Sequence, residues 1–279
     1  MPSSLFPRLT QYVGRLGASW DRLGLQAQFY VQTLRSTGDA LLHYRIELLR
    51  ALAGMSLGTG ALMLIGGTVV IVAFLTFFAG AVVAVQGYNA LQNVGVEAFT
   101  GFLAAFVNTR LAAPLIATVG LAATIGAGAT AQIGAMRINE EIDALEVIGV
   151  RSVAYLAATR VISGVVVVVP LFCVSVLTSY WAAKFTTVLY GQSPGVYDHY
   201  FQTFLNPTDL LWSFVVVVVS AIVVMLVHTY YGFNATGGPA GVGEAVGRAV
   251  RTSLVFAVFA NLCISLAIYG PTGNFHLSG

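Results

Sequence analysis

The chain has 279 residues, 57% hydrophobic and 9% charged. A soluble domain carries about 25% charged residues, so a water-soluble globule is excluded and an integral membrane protein is expected. The net charge of +2 says little, because its distribution matters more than its sum, and the two cysteines, Cys173 and Cys263, sit in apolar runs with neither disulfide nor zinc spacing.

Residues 1–55 are the one extended polar region, with Arg8, Arg15, Arg22, Arg35, Arg45 and Arg50 against Asp21, Asp39 and Glu47. It has no compact apolar core of a cleavable signal peptide. Trp20, Leu23, Ala27, Tyr30 and Leu34 step by three and four along one helical face, and Leu41, Leu42, Ile46, Leu49 and Leu52 continue the pattern. Basic residues flank both faces. The pattern predicts amphipathic helices lying in the membrane interface, or a helical hairpin packed on the ends of the membrane spans.

Residues 56–279 form the membrane domain. About 20 apolar residues cross a bilayer. Residues 51–96 contain no charge, placing a first span near 62–85, with Gln86-Gly87-Tyr88 expected to end it. A second span covers 103–135, interrupted by Arg110. In it Gly120, Thr124 and Gly128 form one small-residue ridge and Ala123, Ala127, Ala131 and Ala135 another, a pattern that lets backbones approach closely. A third span, 155–183, holds Pro170, a source of bending. Residues 184–209 read as a connection with room for a short helix. A fourth span covers 210–231, the glycine-rich run 237–243 reads as a tight turn, and a fifth span covers 252–270. The fold class is all-α, polytopic, with five crossings.

Between the second and third spans lies a charged island, 136–151. Four of the chain's 11 acidic residues (Glu140, Glu141, Asp143 and Glu146) fall in it. As a helix over 138–149, Glu140, Asp143 and Glu146 share one arc, while Ile142, Leu145 and Ile148 lie opposite with Glu141 near them. Gly149 is placed to cap it. Too short and too charged to cross, it is either a solvated connector or a helix that docks into a partner's groove.

If the island is cytoplasmic, 11 of the 13 arginines and lysines lie inside and only Arg110 and Lys184 lie toward the outside. That places the N-terminus inside and the C-terminus outside. The single lysine, Lys184, follows alanine, so no phosphate-binding loop exists and the chain is not itself a P-loop ATPase. The four histidines (His43, His199, His228 and His276) lack ligand spacing, and no acid–base set marks an enzyme; His228, near the inner end of the fourth span, reads as packed or snorkelling. No cofactor and no nucleic-acid partner is expected. Arg110 is costly at membrane depth. It contacts a lipid headgroup, snorkels, or pairs with Glu97. An ion-coupled secondary transporter is the rival reading, although no internal repeat and no midplane acid supports it.

The run Gly134-x-Met136-Arg137-x-x-Glu140-Glu141-Ile142-Asp143-Ala144-Leu145-Glu146-Val147-Ile148-Gly149-Val150 resembles the signature of the MlaE/YrbE permease family, the membrane subunits of ABC transporters that carry lipids with MCE proteins. Gln86-Gly87-Tyr88, Arg110 with Pro114, and Tyr231-Gly232-Phe233-Asn234-Ala235-Thr236-Gly237-Gly238 match further parts of that pattern. The resemblance implies that Glu140, Glu141, Ile142, Asp143, Leu145, Glu146 and Ile148 form a coupling helix seated on a partner ATPase, which binds ATP and magnesium. It implies a lipid pocket at a dimer interface involving Val82, Val85, Gln86, Tyr88, Arg110 and Leu111. Leu111, Ala113, Thr124, Gln132 and Glu141 depart from the usual residues. The glutamate pair and the missing intramembrane arginine look most like the actinobacterial Mce permeases, which implies a heterodimer with a second permease, and the B-type subunit. A bacterial plasma-membrane location and an importing lipid transporter follow from the same resemblance.

Overall fold

The computed structural model describes residues 23–56 and 61–269, which are helical with no strand among them. Three short helices come first: α1 (residues 23–35), α2 (Thr37–His43) and α3 (Arg45–Ser56). The first crossing is Gly67–Gln92 of α4 (Ala61–Gln92). The second is one helical stretch of 42 residues, Glu97–Ile138. It comprises a 3-10 turn (Glu97–Phe99), α5 (Thr100–Val107), a π turn (Asn108–Ala112), α6 (Ala113–Gly120), a second π turn (Leu121–Gly126) and α7 (Ala127–Ile138). The island forms α8 (Glu141–Val147). The third crossing is a π turn (Val153–Ala158) running into α9 (Thr159–Leu189). The short α10 (Pro194–Phe204) precedes α11 (Pro207–Phe233) and α12 (Gly238–Tyr269), the fourth and fifth crossings.

Among the described residues five helices are long and apolar enough to cross a membrane, in the order expected. Lipid offers the backbone no hydrogen-bond partners, so each apolar run closes its own ladder as a helix. The crossings run 26 to 42 residues. At 1.5 Å per residue that is about 39–63 Å, longer than the roughly 30 Å apolar slab. The helices therefore run past the ends expected for the spans. Gln86-Gly87-Tyr88 does not end the first crossing. The helix continues to Gln92 and closes at Gly95 (φ 73°), where the Gly95 and Val96 amides donate to the Gln92 and Leu91 carbonyls. Gly87 serves packing instead: a Cβ there would lie 2.5 Å from Leu103 Cδ2. The third crossing runs past residue 183 to Leu189, so Lys184 is helical. Pro170 sits inside α9 without ending it. In the run 237–243 only Gly237 and Gly238 take left-handed φ, while Gly241 and Gly243 lie inside α12. The fifth crossing therefore begins at 238 rather than 252.

The π turn Leu121–Gly126 breaks the four-residue register of the expected small-residue ridges. A Cβ added at Gly128 would meet nothing within 4 Å, and Ala123 and Ala135 are exposed. Close approach occurs instead at Gly120 against Val72 of α4, Gly126 against His228 of α11, and Gly134 against Val242 of α12. His228 is a packed residue, fully buried. Its Nδ1 lies 2.7 Å from Thr130 Oγ1 and its Nε2 3.0 Å from Ser253 Oγ, so one ring ties α7, α11 and α12 together.

The main core gathers residues of α6, α9 and α11, with Val72 of α4 and Ala257 of α12. α4 and α12 are the least buried crossings. Val70, Phe74, Phe78 and Val82 follow one another every four residues down the exposed side of α4. The N-terminal helices pack on the island end. Phe29 meets the rings of Tyr230 and Phe233, Tyr44 meets Tyr155, and Asp39 pairs with Arg151. Burial, partly offset by the hydrogen bond from Gln26, pushes the Tyr30 phenol up to about 12. Leu41, Leu42, Ile46 and Leu49 face outward, whereas Leu52 packs on the core. Trp20, the three arginines up to Arg22, Asp21, residue 270 and the tail with His276 lie outside the described residues.

Candidate functional site: a docking edge and a far-end ion pair

Helix α8 is built as a tight corner. α7 ends at Ile138, and Glu140 takes a left-handed conformation (φ 60°) before α8 begins. Such a backbone is costly for a residue with a side chain, so Glu140 forms the corner and is not part of the acidic arc. Gly149 (φ 81°) closes α8 as expected. Its amide donates to the Glu146 carbonyl and that of Val150 to Leu145, the paired bonds of a glycine C-cap.

The apolar arc of α8 divides in two. Ile142 is 1% exposed and packs with Ile133 of α7 and Leu156 of the third crossing, and Leu145 packs against the same cluster. These two side chains anchor α8 to its own bundle. Ile142 is covered by the chain itself and Leu145 is half-buried, so Ile142 does not reach into a partner's groove, contrary to expectation. The free apolar edge is Val147 and Ile148, 87% and 73% exposed, with exposed Ala144 one turn back. The acids are held locally: Asp143 pairs with Arg137 at 2.5 Å, Glu146 accepts from Ser152 at 2.5 Å, and Glu141 accepts from Asn139 at 3.4 Å.

At the opposite end the π turn Asn108–Ala112 brings a polar group into an apolar bundle. Arg110 Nη2 donates to Asp209 Oδ2 at 2.7 Å, with both side chains about five-sixths buried. The guanidinium also lies 4.3 Å above the Phe106 ring. The expected partner Glu97 does not fill this role; its backbone carbonyl instead accepts from Thr100 and Gln192. Asp209 is positioned by the start of α11, where the Asn206 side chain caps the helix by accepting from the Thr208 amide. Beside the pair, Thr109 Oγ1 lies 2.5 Å from the Tyr180 hydroxyl, and Ser213 donates to the Thr109 carbonyl at 2.7 Å. Asn108 is fully buried, and neither amide atom has a hydrogen-bond partner among the described residues. On α10, burial above all, with the Asp198 carboxylate adding to it, holds the Tyr197 phenol above its ordinary range.

The sequence-based pocket residues lie on α4 and on the π turn Asn108–Ala112, two elements in contact. Tyr88 packs edge-on to Tyr190 at the end of α9, with centroids 5.6 Å apart, whereas Arg110 is engaged with α11. Val82 and Leu111 are each more than half exposed, Gln86 is exposed, and Val85 is half-buried. The sequence reading missed Asp209 and Asn108. The signal for Asp209 was its place three residues after Asn206, in the first turn of a crossing. For Asn108 it was an amide inside an apolar run.

The family model described as Permease MlaE matches residues 58–267. A probable ABC transporter permease protein of Rickettsia bellii is 28% identical over 204 residues, covering 70% of this chain and 76% of the relative. A probable ABC transporter permease protein of Synechocystis is 26% identical over 257 residues, covering 90% and 95%. The intermembrane phospholipid transport system permease protein MlaE of Haemophilus influenzae is 24% identical, covering 69% and 75%. The matched region spans all five crossings, the α8 corner and the Arg110–Asp209 pair, and the chain belongs to the MlaE permease family.

Proposed function

We propose that this chain is the permease subunit of an ATP-driven lipid transporter in the inner membrane of a bacterium. The observation that carries the reading is an exposed apolar edge, Ala144, Val147 and Ile148, held at a membrane-exterior corner inside the family-matching region. A partner ATPase supplies the hydrolysis and seats this edge in a groove. Because Ile142 locks α8 to α7 and to the third crossing, a push on the edge moves both crossings. The relatives' names, ABC transporter permease and intermembrane phospholipid transport permease, support an ATP-linked machine with lipid cargo.

In this reading the island end is cytoplasmic, in line with its arginines, and the Arg110–Asp209 end faces outward. Arg110 receives the headgroup of an anionic lipid that MCE proteins deliver for import. The exposed stripes of α4 and α12 suit a second permease subunit, in a heterodimer of the actinobacterial type with this chain as its B-type member. The test is purification of the complex in mild detergent. Val147→Asp with Ile148→Asp releases the ATPase while the permease keeps its wild-type melting temperature. An ATPase that stays stoichiometric with the variant refutes the docking edge. Lipid movement in vesicles that follows an ion gradient and ignores ATP refutes the transporter class.

A further inference from the structure

The island end holds a second polar arrangement that lipid transport does not use. Helix α3 lies against α9, and the chain between α2 and α3 borders a cavity of about 370 Å³ whose polar lining is His43, Tyr44, Arg45, Glu47, Arg50 and Tyr155. Glu47 is the one carboxylate among the described lining residues, and it already accepts from Arg50 at 2.8 Å and from the Tyr155 hydroxyl at 3.1 Å. Five residues on from Tyr155, Arg160 of α9 is 7% exposed and lies outside the cavity lining. Its Nη1 donates to the Leu156 carbonyl at 3.3 Å, and its Nε has no hydrogen-bond partner among the described residues.

Two guanidinium groups, Arg45 and Arg50, thus line the cavity with one carboxylate, and a third, Arg160, is taken out of water close by in the chain to Tyr155. A buried cation is costly unless paired and hydrogen-bonded. Forked guanidinium donors together with a phenol hydroxyl match the oxygens of a phosphate group. Leu42 and Ile46 border the cavity and are 65% and 77% exposed, an apolar flank of the kind that acyl chains cover.

We propose that this cavity binds a phosphate-bearing anion, for which a phospholipid headgroup at the island-side membrane interface is the source that the apolar flank favours. The bound phosphate bridges Arg45 and Arg50 of α3 to Tyr155 and so ties α3 to the third crossing. The site lies at the opposite end from Arg110, and its standing does not depend on what the protein transports.

The test uses the full chain, delipidated in a phosphate-free maltoside detergent, with melting temperature as the readout. Phosphatidylglycerol, inorganic phosphate and diacylglycerol are added separately to wild type and to Arg45→Gln/Arg50→Gln. Both substituted side chains are exposed, so the variant folds. At a hundredfold excess over Kd, phosphatidylglycerol raises the wild-type midpoint on the order of 5 °C, and the variant loses most of that rise. An equal rise with inorganic phosphate upholds the site and assigns it to free phosphate. An equal rise with diacylglycerol, an undiminished rise in the variant, or no rise in wild type with either phosphate source overturns it.

Discussion

Breaking the Arg110–Asp209 pair should cost far more than removing it whole. The charges meet at 2.7 Å with side chains 15% and 16% exposed. At an effective dielectric near 20 and about 4 Å between charge centres, the gross attraction is about 4 kcal/mol. Desolvation of both ions offsets most of this, so replacing the pair by apolar groups is close to neutral, whereas deleting one partner strands a buried charge and costs about 3–5 kcal/mol. Asp209→Ala therefore loses about 3–5 kcal/mol. Arg110→Ala loses up to about 2 kcal/mol more, because its contact with the Phe106 ring goes as well. The double variant Arg110→Leu/Asp209→Leu loses less than either single one, and Glu97→Ala stays within about 0.5 kcal/mol of wild type. Equilibrium unfolding in mixed micelles of a maltoside detergent and sodium dodecyl sulfate measures all four. Additive single effects, or a Glu97→Ala loss equal to that of Asp209→Ala, would refute the pairing.

Further outcomes follow from the packing and the orientation. With Cys173 and Cys263 first replaced by alanine, a cysteine at Ser193 is labelled from outside the cell by an impermeant maleimide and one at Thr236 is not; the reverse pattern refutes the orientation. Gly126→Ala places a Cβ 2.6 Å from the His228 ring and lowers stability by about 1–3 kcal/mol in the same unfolding assay. Ile142→Ala removes a fully buried side chain and costs about 2–5 kcal/mol, whereas Ile148→Ala, 73% exposed, stays within about 0.5 kcal/mol. Equal losses for the two isoleucines would show that α8 is not anchored as described.

The number and order of the crossings were legible in the sequence, because lipid leaves an apolar run of 20 or more residues little choice but a helix. Their ends were not. Gln86-Gly87-Tyr88 and Gly241–Gly243 carry the composition of breaks, yet their glycines answer to neighbours: Leu103 beside Gly87, and the Thr236 carbonyl beside Gly241. The charged island was legible as a helix capped at Gly149. Which of its apolar side chains were free was not, since periodicity marks Ile142 and Ile148 alike and only the bundle decides which one it covers. Arg110 stood out as a charge in an apolar run, but its partner lies 99 residues away, beyond any local pattern.

The π turn at Leu121–Gly126 sits within one continuous rod that carries Arg110 near one end and leads into the Glu140 corner at the other. Each π turn stores one residue beyond what an α-turn needs. It is a screw joint: taking that residue back into α geometry would turn one part of the rod against the other by about 100° and advance it about 1.5 Å. Torque applied at α8 therefore has a route to Arg110 along a single helix, as a twist, without the rod having to bend.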